Sequence, residues 1–497
     1  MIDHGRPIRR DCDSPAGKPA FERPVTAGRG RIVARRTLSL MTAGAVAFAG
    51  TFAGMGPASV TPAQAQGSNL RGLPIIRDTE IEQLLRDYAQ PILKAAGLAK
   101  QNVKVVVLND RSFNAFVMDG RHIFINAGAL FDAKTPNEVI GVFAHETGHL
   151  AGGHLLKLRE QLATAQTASI VGLLLGAGVA IAGARSGGAN ATAAAIMAPQ
   201  AAIQRSLLAY VRTQEDQADH AGVKFLNATG QSSRGMIELF KRLANDSLFN
   251  SRNVDPYLQS HPMPAERVAA LDRVARTSPY FERKDPPELQ LRHDMMRAKL
   301  SGFLERPDTV ARRYPPNDHS LPARYARAIS TYRHSDLRQA AAQIDALIQA
   351  QPGNAYFYEL KGQALLEGGR PSEAVAPLRR AAQLSHNAPL IQMMLAQALI
   401  AINNPKVAEE AVALLRAALQ REPDAPQAYA QLAMAYGRKG DLAQADLASA
   451  QAAFARGDFR TARQLASRAK TRLPVGSPAW VRADDIVNVK PNANARN

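Results

Sequence analysis

Residues 139–160 read VIGVFAHETGHLAGGHLLKLRE, and Pro136 and Asn137 lead into them. The stretch has no proline, though glycine stands at 141, 148, 152 and 153, and it reads as a helix. Residues four apart on a helix share a face, with Cβ atoms ~5–6 Å apart. His145 and His149 can therefore both reach one zinc ion at ~2.0–2.1 Å. Glu146 is turned roughly 100° from His145, so it can meet a water on that ion rather than the ion itself. Zinc lowers the pKa of such a water to ~7, and a carboxylate can take its proton as it attacks a polarised carbonyl. The same pentapeptide also suits two exposed histidines with no ligand at all.

A catalytic zinc needs a third protein donor and an open position. The candidate is Glu215, within Arg212-Thr213-Gln214-Glu215-Asp216-Gln217-Ala218-Asp219. Glu215 and Asp219 are again four apart: one can ligate while the other accepts a hydrogen bond from a ligand imidazole. Alone, this string suits a solvated helix face; beside the histidine pair it gains meaning. His154 lies five residues past His149, about 500° around the helix and off the ligand face, and is read as structural. Asp216 faces elsewhere and is read as solvated.

Around this centre, residues 69–276 are mostly helical with one short β section. Val103–Leu108 and Arg121–Asn126 are compact strand-like runs, and Asp119-Gly120 between them is a turn signal. The expectation is a mainly α chain, beginning with an α+β unit over 66–280 that carries a small β-sheet. Within it, Gln161 to Ala184 is uncharged for 24 residues and is followed by a weaker apolar stretch, Ala191–Ala202. One membrane crossing would put His149 and Glu215 on opposite sides, which shared ligation forbids. Residues 161–205 are expected to form a helical hairpin that packs over the unit or dips into a membrane surface; a buried core hairpin and a re-entrant insertion are the alternatives. Residues 281–320, rich in proline and charge, read as a linker with one helix over Gln290–Glu305.

The C-terminal third repeats itself. Ala328, Gly362 and Ala396 are 34 apart, and so are Ala340, Ala374 and Ala408. Small residues at two helix crossings with that period indicate stacked helical hairpins, here an α-solenoid of tetratricopeptide repeats over 321–480 with a flexible tail at 481–497. Such arrays form concave surfaces for binding proteins. An irregular Ala-rich bundle is the competing arrangement.

Residues 1–65 look like an address: a basic lead, an uncharged run from Leu38 to Met55, and Ala63-Gln64-Ala65 as a small-x-small exit. Arg35-Arg36 suits a twin-arginine signal or two ordinary charges, and an uncleaved anchor is the alternative to a signal peptide. The expected location is therefore a bacterial envelope, reached by export, with mature chain from about Gln66. The 497 residues carry 61 Lys+Arg against 43 Asp+Glu, net +18. The leader holds nine basic and four acidic residues, so the rest keeps 52 against 39, or +13. That charge suits an anionic membrane surface at long range; nothing points to nucleic acid. The single cysteine, Cys12, lies in the leader, which excludes a disulfide scaffold, thiolate zinc sites and cysteine nucleophiles elsewhere.

Asn114-Ala115-Phe116, Gly120, Asn126, Gly128, Glu138, Ala144-His145-Glu146, Arg212, Glu215, Ala218, Asp219, Ser260-His261-Pro262 and Arg267 together resemble the zinc metallopeptidases that include the HtpX and CAAX prenyl proteases. With a leader and C-terminal repeats, the chain is most similar to the periplasmic β-barrel assembly-enhancing branch. The resemblance implies a zincin-type fold and one Zn2+ ligated by His145, His149 and Glu215, with Glu146 as general base. It implies that Asp219 holds a ligand histidine, that His261 can approach the metal and keep the enzyme inactive, and that Arg267 is the matching arginine. Asn114–Phe116 would be an edge strand pairing with substrate backbone. Expected partners are protein substrates, among them misfolded or stalled outer-membrane proteins, and an outer-membrane assembly machine docked on the repeats. An assembly adaptor or chaperone with minor proteolysis is the alternative of another class.

Overall fold

The computed structural model describes residues 73–165, 189–249 and 256–489. The leader, the heart of the uncharged run and the last residues of the tail lie outside the described residues, as do the expectations placed on them.

Among the described residues four strands form one sheet, β1 (Ile75–Ile76), β2 (Lys104–Leu108), β3 (Ala115–Asp119) and β4 (His122–Asn126), in the order β1-β2-β4-β3. The two runs picked out by their β-branched residues are β2 and β4, which pair in parallel with Val105 opposite Ile123 and Val107 opposite Ile125. The turn at Asp119-Gly120 closes a tight hairpin, because Asp119 Oδ1 accepts from both Arg121 N and His122 N at 2.8 Å. That hairpin leaves β3 at one end of the sheet.

Helices α1 (Thr79–Ala95) and α2 (Ala127–Asp132) precede α3 (Pro136–Gly152), which carries the histidine pair. Thr135 caps α3 by accepting from Glu138 N, and Pro136 occupies its first turn, where a missing N–H costs nothing. Residues 136–148 of α3 are all buried, with α1, α5, α6 and the sheet around it. After α3 come α4 (154–165), α5 (Ala189–Ala228), α6 (Arg234–Phe249), α7 (Pro256–Ser260) and α8 (Ala265–Ala275). Where α3 crosses α5, a Cβ on Gly148 would stand 2.7 Å from the Ala218 carbonyl oxygen. Only glycine permits that approach. Among the described residues, no helix is long and apolar enough to cross a membrane.

The segment expected to be a linker is packed structure. Helix α9 (Pro287–Leu304) starts three residues before the expected Gln290, and α10 (Pro307–Arg313) follows it. Met296 and Leu300 of α9 belong to the core of the α+β unit, while Met295 and Ala298 belong to the first core of the repeat array. Helices α11 (Leu321–His334) to α20 (Pro478–Asn488) then stack, each on the next. Ala328, Ala340, Ala374, Ala396 and Ala408 are all buried at their crossings. The tail expected from 481 is helical as far as Asn488, since Ala479 and Ala483 of α20 are buried against the array.

A buried ionic cluster fastens the junction. Lys299 Nζ on α9 lies 2.7 Å from Asp78 Oδ2, 3.2 Å from Glu80 Oε2 and 3.6 Å from Glu359 Oε2 of the array. Tyr325 donates to Glu80 at 3.0 Å, and Thr79 donates to Glu359 at 3.3 Å. One ammonium thus serves three carboxylates. Burial, opposed by Lys299 and reinforced by Asp78 and Glu80, pushes the Glu359 carboxyl up to about 7. The folded chain therefore holds a proton that the unfolded chain releases, and this group's contribution to stability grows as pH falls from about 8 to about 5. Glu359→Gln is expected to stabilise the protein at about pH 8 and to flatten that dependence. Urea denaturation across this pH range checks it; unchanged pH dependence would contradict the assignment.

Candidate metal centre

Two helices and a loop converge on one point. His145 and His149 come from α3 and Glu215 from α5, while His261 lies in the Ser260-His261-Pro262 loop between α7 and α8. One ligand atom from each lies within 4.8 Å of all the others. His145 Nε2 is 3.1 Å from His149 Nε2 and 3.4 Å from Glu215 Oε2, and His149 Nε2 is 3.4 Å from Glu215 Oε1. Donors ~2.0–2.1 Å from a tetrahedral ion stand about 3.3–3.4 Å apart. The three are spaced as a metal-binding face.

The surroundings prepare those atoms. Asp219, one turn after Glu215, takes a hydrogen bond from His145 Nδ1 at 2.8 Å. A carboxylate only accepts, so Nδ1 carries the proton and Nε2 turns its lone pair to the centre. Arg267 holds Asp219 with two bonds, Nε to Oδ2 at 2.7 Å and Nη2 to Oδ1 at 2.9 Å. The same guanidinium lies 3.1 Å from Glu215 Oε2 and donates to the Pro262 carbonyl at 2.7 Å, which ties down the loop carrying His261. His261 Nδ1 lies 3.3 Å from His145 Nε2 and 3.0 Å from Glu215 Oε2, at the fourth corner of the cluster. Tyr257 packs against its ring at 4.7 Å between centroids.

Charge and hydrogen bonding both call for a cation. Glu146, Glu215 and Asp219 are buried carboxylates, and Arg267 is the guanidinium beside them. With neutral imidazoles the cluster is two positive charges short, which a divalent ion would supply. Burial would raise Glu215's pKa, but His261 and His145 hold it well below the usual carboxylate range. Burial likewise opposes charge on His145, yet Asp219 and Glu215 lift it to about 10, the same negative field that would attract a metal cation. Burial lifts the Glu146 carboxyl, against His261 and His145, and among the described residues neither of its oxygens accepts a hydrogen bond. His261 Nε2 stands 3.5 Å from its Oε1. A buried, unbonded carboxylate is expensive unless something polar meets it in use.

His154 is outside the group of four that could hold an ion, as its position off the ligand face implied, yet it does not lie away from them. Gly153 ends α3 in the left-handed conformation, φ 63°, and α4 starts in a new direction. His154 Nδ1 consequently lies 3.0 Å from His149 Nδ1, behind that ring as seen from the centre. The paired glycines before it were the available signal. Asn114 and Phe116 stand elsewhere, at the start of edge strand β3, where Phe116 stacks on Phe124 at 5.1 Å. Asp216, as expected, is exposed.

A centre of this composition, wrapped by one buried helix and its crossing partner, suits a metallopeptidase, and the chain is one. It belongs to peptidase family M48, whose pattern residues 76–275 match, while residues 325–389 match a tetratricopeptide repeat. A Vibrio cholerae relative described as a beta-barrel assembly-enhancing protease is 25% identical over 290 residues, 58% of this chain and 59% of that protein. The beta-barrel assembly-enhancing protease of Yersinia pestis is 23% identical over 433 residues, 85% of this chain and 86% of its own. Metalloprotease LoiP of Escherichia coli is 31% identical over 195 residues, 38% of this chain and 71% of LoiP. Family membership implies a divalent metal, which the donor set fits.

Asp219→Asn is expected to weaken metal binding by about 10–100-fold, the usual cost of losing a ligand's orienting partner. Chelator competition measures it, and parental affinity would show that Asp219 does not orient His145.

Proposed function

We propose that this chain is a zinc-dependent endopeptidase of the bacterial envelope, exported to the periplasm. The observation that carries the reading is the spacing of the His145, His149 and Glu215 donor atoms beside the unbonded Glu146 carboxylate. His145, His149 and Glu215 would hold the ion, and Asp219, fixed by Arg267, would keep His145 in the ligating tautomer. Zinc at that position supplies a polarised carbonyl and an acidified water. Glu146 takes the proton of the attacking water; its burial makes it a stronger base than an exposed glutamate. An extended substrate would add to the sheet at β3, beginning at Asn114–Phe116, through main-chain hydrogen bonds.

The relatives' names direct the reading toward proteins of the outer membrane: misfolded or stalled barrels as substrates, and the repeats as the docking surface for them or for an assembly machine. A membrane surface near the apolar 161–205 segment suits the basic mature chain. His261 supports a second reading, an assembly adaptor with latent proteolysis, because its ring stands where water would enter.

Glu146→Gln should lower cleavage of an unfolded β-barrel protein by about 10²–10⁴-fold while leaving zinc bound. Glu215→Ala should lose the zinc itself. Cleavage by Glu146→Gln at the parental rate would sink the mechanism. His261→Ala is expected to raise cleavage if the loop holds the enzyme closed, and an unchanged rate would remove that role.

A further inference from the structure

We infer that His154 is a positioning residue for the metal centre: its Nδ1 accepts the Nδ1 proton of His149 and so aims His149 Nε2 at the ion. This rests on the proposed ligand set and extends it. In the proposed ligand set His149 Nε2 turns its lone pair to the ion, beside His145 Nε2 at 3.1 Å and Glu215 Oε1 at 3.4 Å, so its proton belongs on Nδ1. The atom receiving it is His154 Nδ1, 3.0 Å away. His154 thus does for one ligand histidine what Asp219 does for the other. A neutral acceptor here fits the charge count, since a second orienting carboxylate would leave the centre more negative than a divalent ion balances.

The local chain is built to place this ring. Gly153 turns the backbone through φ 63°, and a Cβ on Gly152 would stand 2.2 Å from His154 Nε2. No side chain fits at 152 with the ring in this position. Helix α5 holds the residue from the other side: Gln214 donates to the His154 carbonyl at 3.3 Å, and Gln217 lies beside its side chain. Those glutamines bracket Glu215, so the helix that brings the carboxylate also braces the orienting ring. His154 is 3% exposed, its rings with His149 meeting edge-on at 5.0 Å.

The test compares His154→Gln, which can still accept a hydrogen bond, with His154→Leu, which fills similar space and cannot. Zinc affinity of the full chain is measured by chelator competition, and melting of each metal-free variant is followed in parallel. The expected result is parental affinity within threefold for Gln and a loss of about 10–100-fold for Leu, with metal-free melting alike in the two. The smaller His154→Ala, also without an acceptor, gives the same contrast if the Leu variant does not fold. Parental affinity in the variants without an acceptor overturns the inference, and so does equal loss in all three. If the parent binds no zinc, or keeps it in Glu215→Ala, the ligand set itself falls, which is a separate outcome.

Discussion

The centre exists because α3 and α5 nearly touch. Helices ordinarily pack with axes 8–10 Å apart, set by the side chains between them. Here Gly148 meets Ala218, and Gly222 of α5 lies against the backbone at Ala144 and His145. A glycine at each contact lets backbone rest on backbone. Glu215 and Asp219 flank that contact on α5, as His145 and His149 do on α3. The short reach of a glutamate then suffices to meet two imidazoles, and Asp219 can bond the far side of one of them. Everything electrostatic about the site follows, because the same closeness buries three carboxylates where water cannot offset their charge.

That electrostatic debt explains the outer layer. Arg267 bonds Asp219 twice and Pro262 once, so a single guanidinium neutralises a carboxylate and anchors the His261 loop. His149, whose partner is a neutral ring, adds no further negative charge. Under the proposed ligand set the two histidines would be oriented by different chemistries, a difference that keeps the cluster within what one divalent ion balances.

Much of this was legible locally. The four-residue spacings of His145 with His149 and Glu215 with Asp219 are short-range facts of helix geometry, and the 34-residue period survives any detail of packing. Legibility failed where continuity or polarity misled. His154 was placed by carrying α3 straight through Gly152-Gly153, the pair that ends it. Residues 281–320 look like a linker because they are rich in proline and charge, and within α9 that polarity includes His293, Lys299 and two arginines. Yet His293 is buried, bonded to Tyr88 at 3.2 Å and the Ala133 carbonyl at 3.0 Å, and Lys299 is buried among carboxylates. Those partners lie far away in sequence, so no local pattern announces that the polar groups are satisfied inside.

The consequence of α9 is mechanical. One helix supplies Met296 and Leu300 to the α+β core, and Met295 and Ala298 to the first repeat core. The array is thus joined by shared packing and by the Lys299 cluster rather than by a tether, and its place is set much as a core residue's is. A flexible linker would let a docked substrate sample many distances from the centre, with an effective concentration falling as the linker lengthens. A fixed array instead offers one span between the repeats and the edge strand β3. Under the proposed reading, selection then falls on what can bridge that span. A polypeptide with a long unfolded segment can reach β3 while held on the repeats, whereas a compact folded protein of the same sequence keeps its backbone paired internally and has no free strand to add.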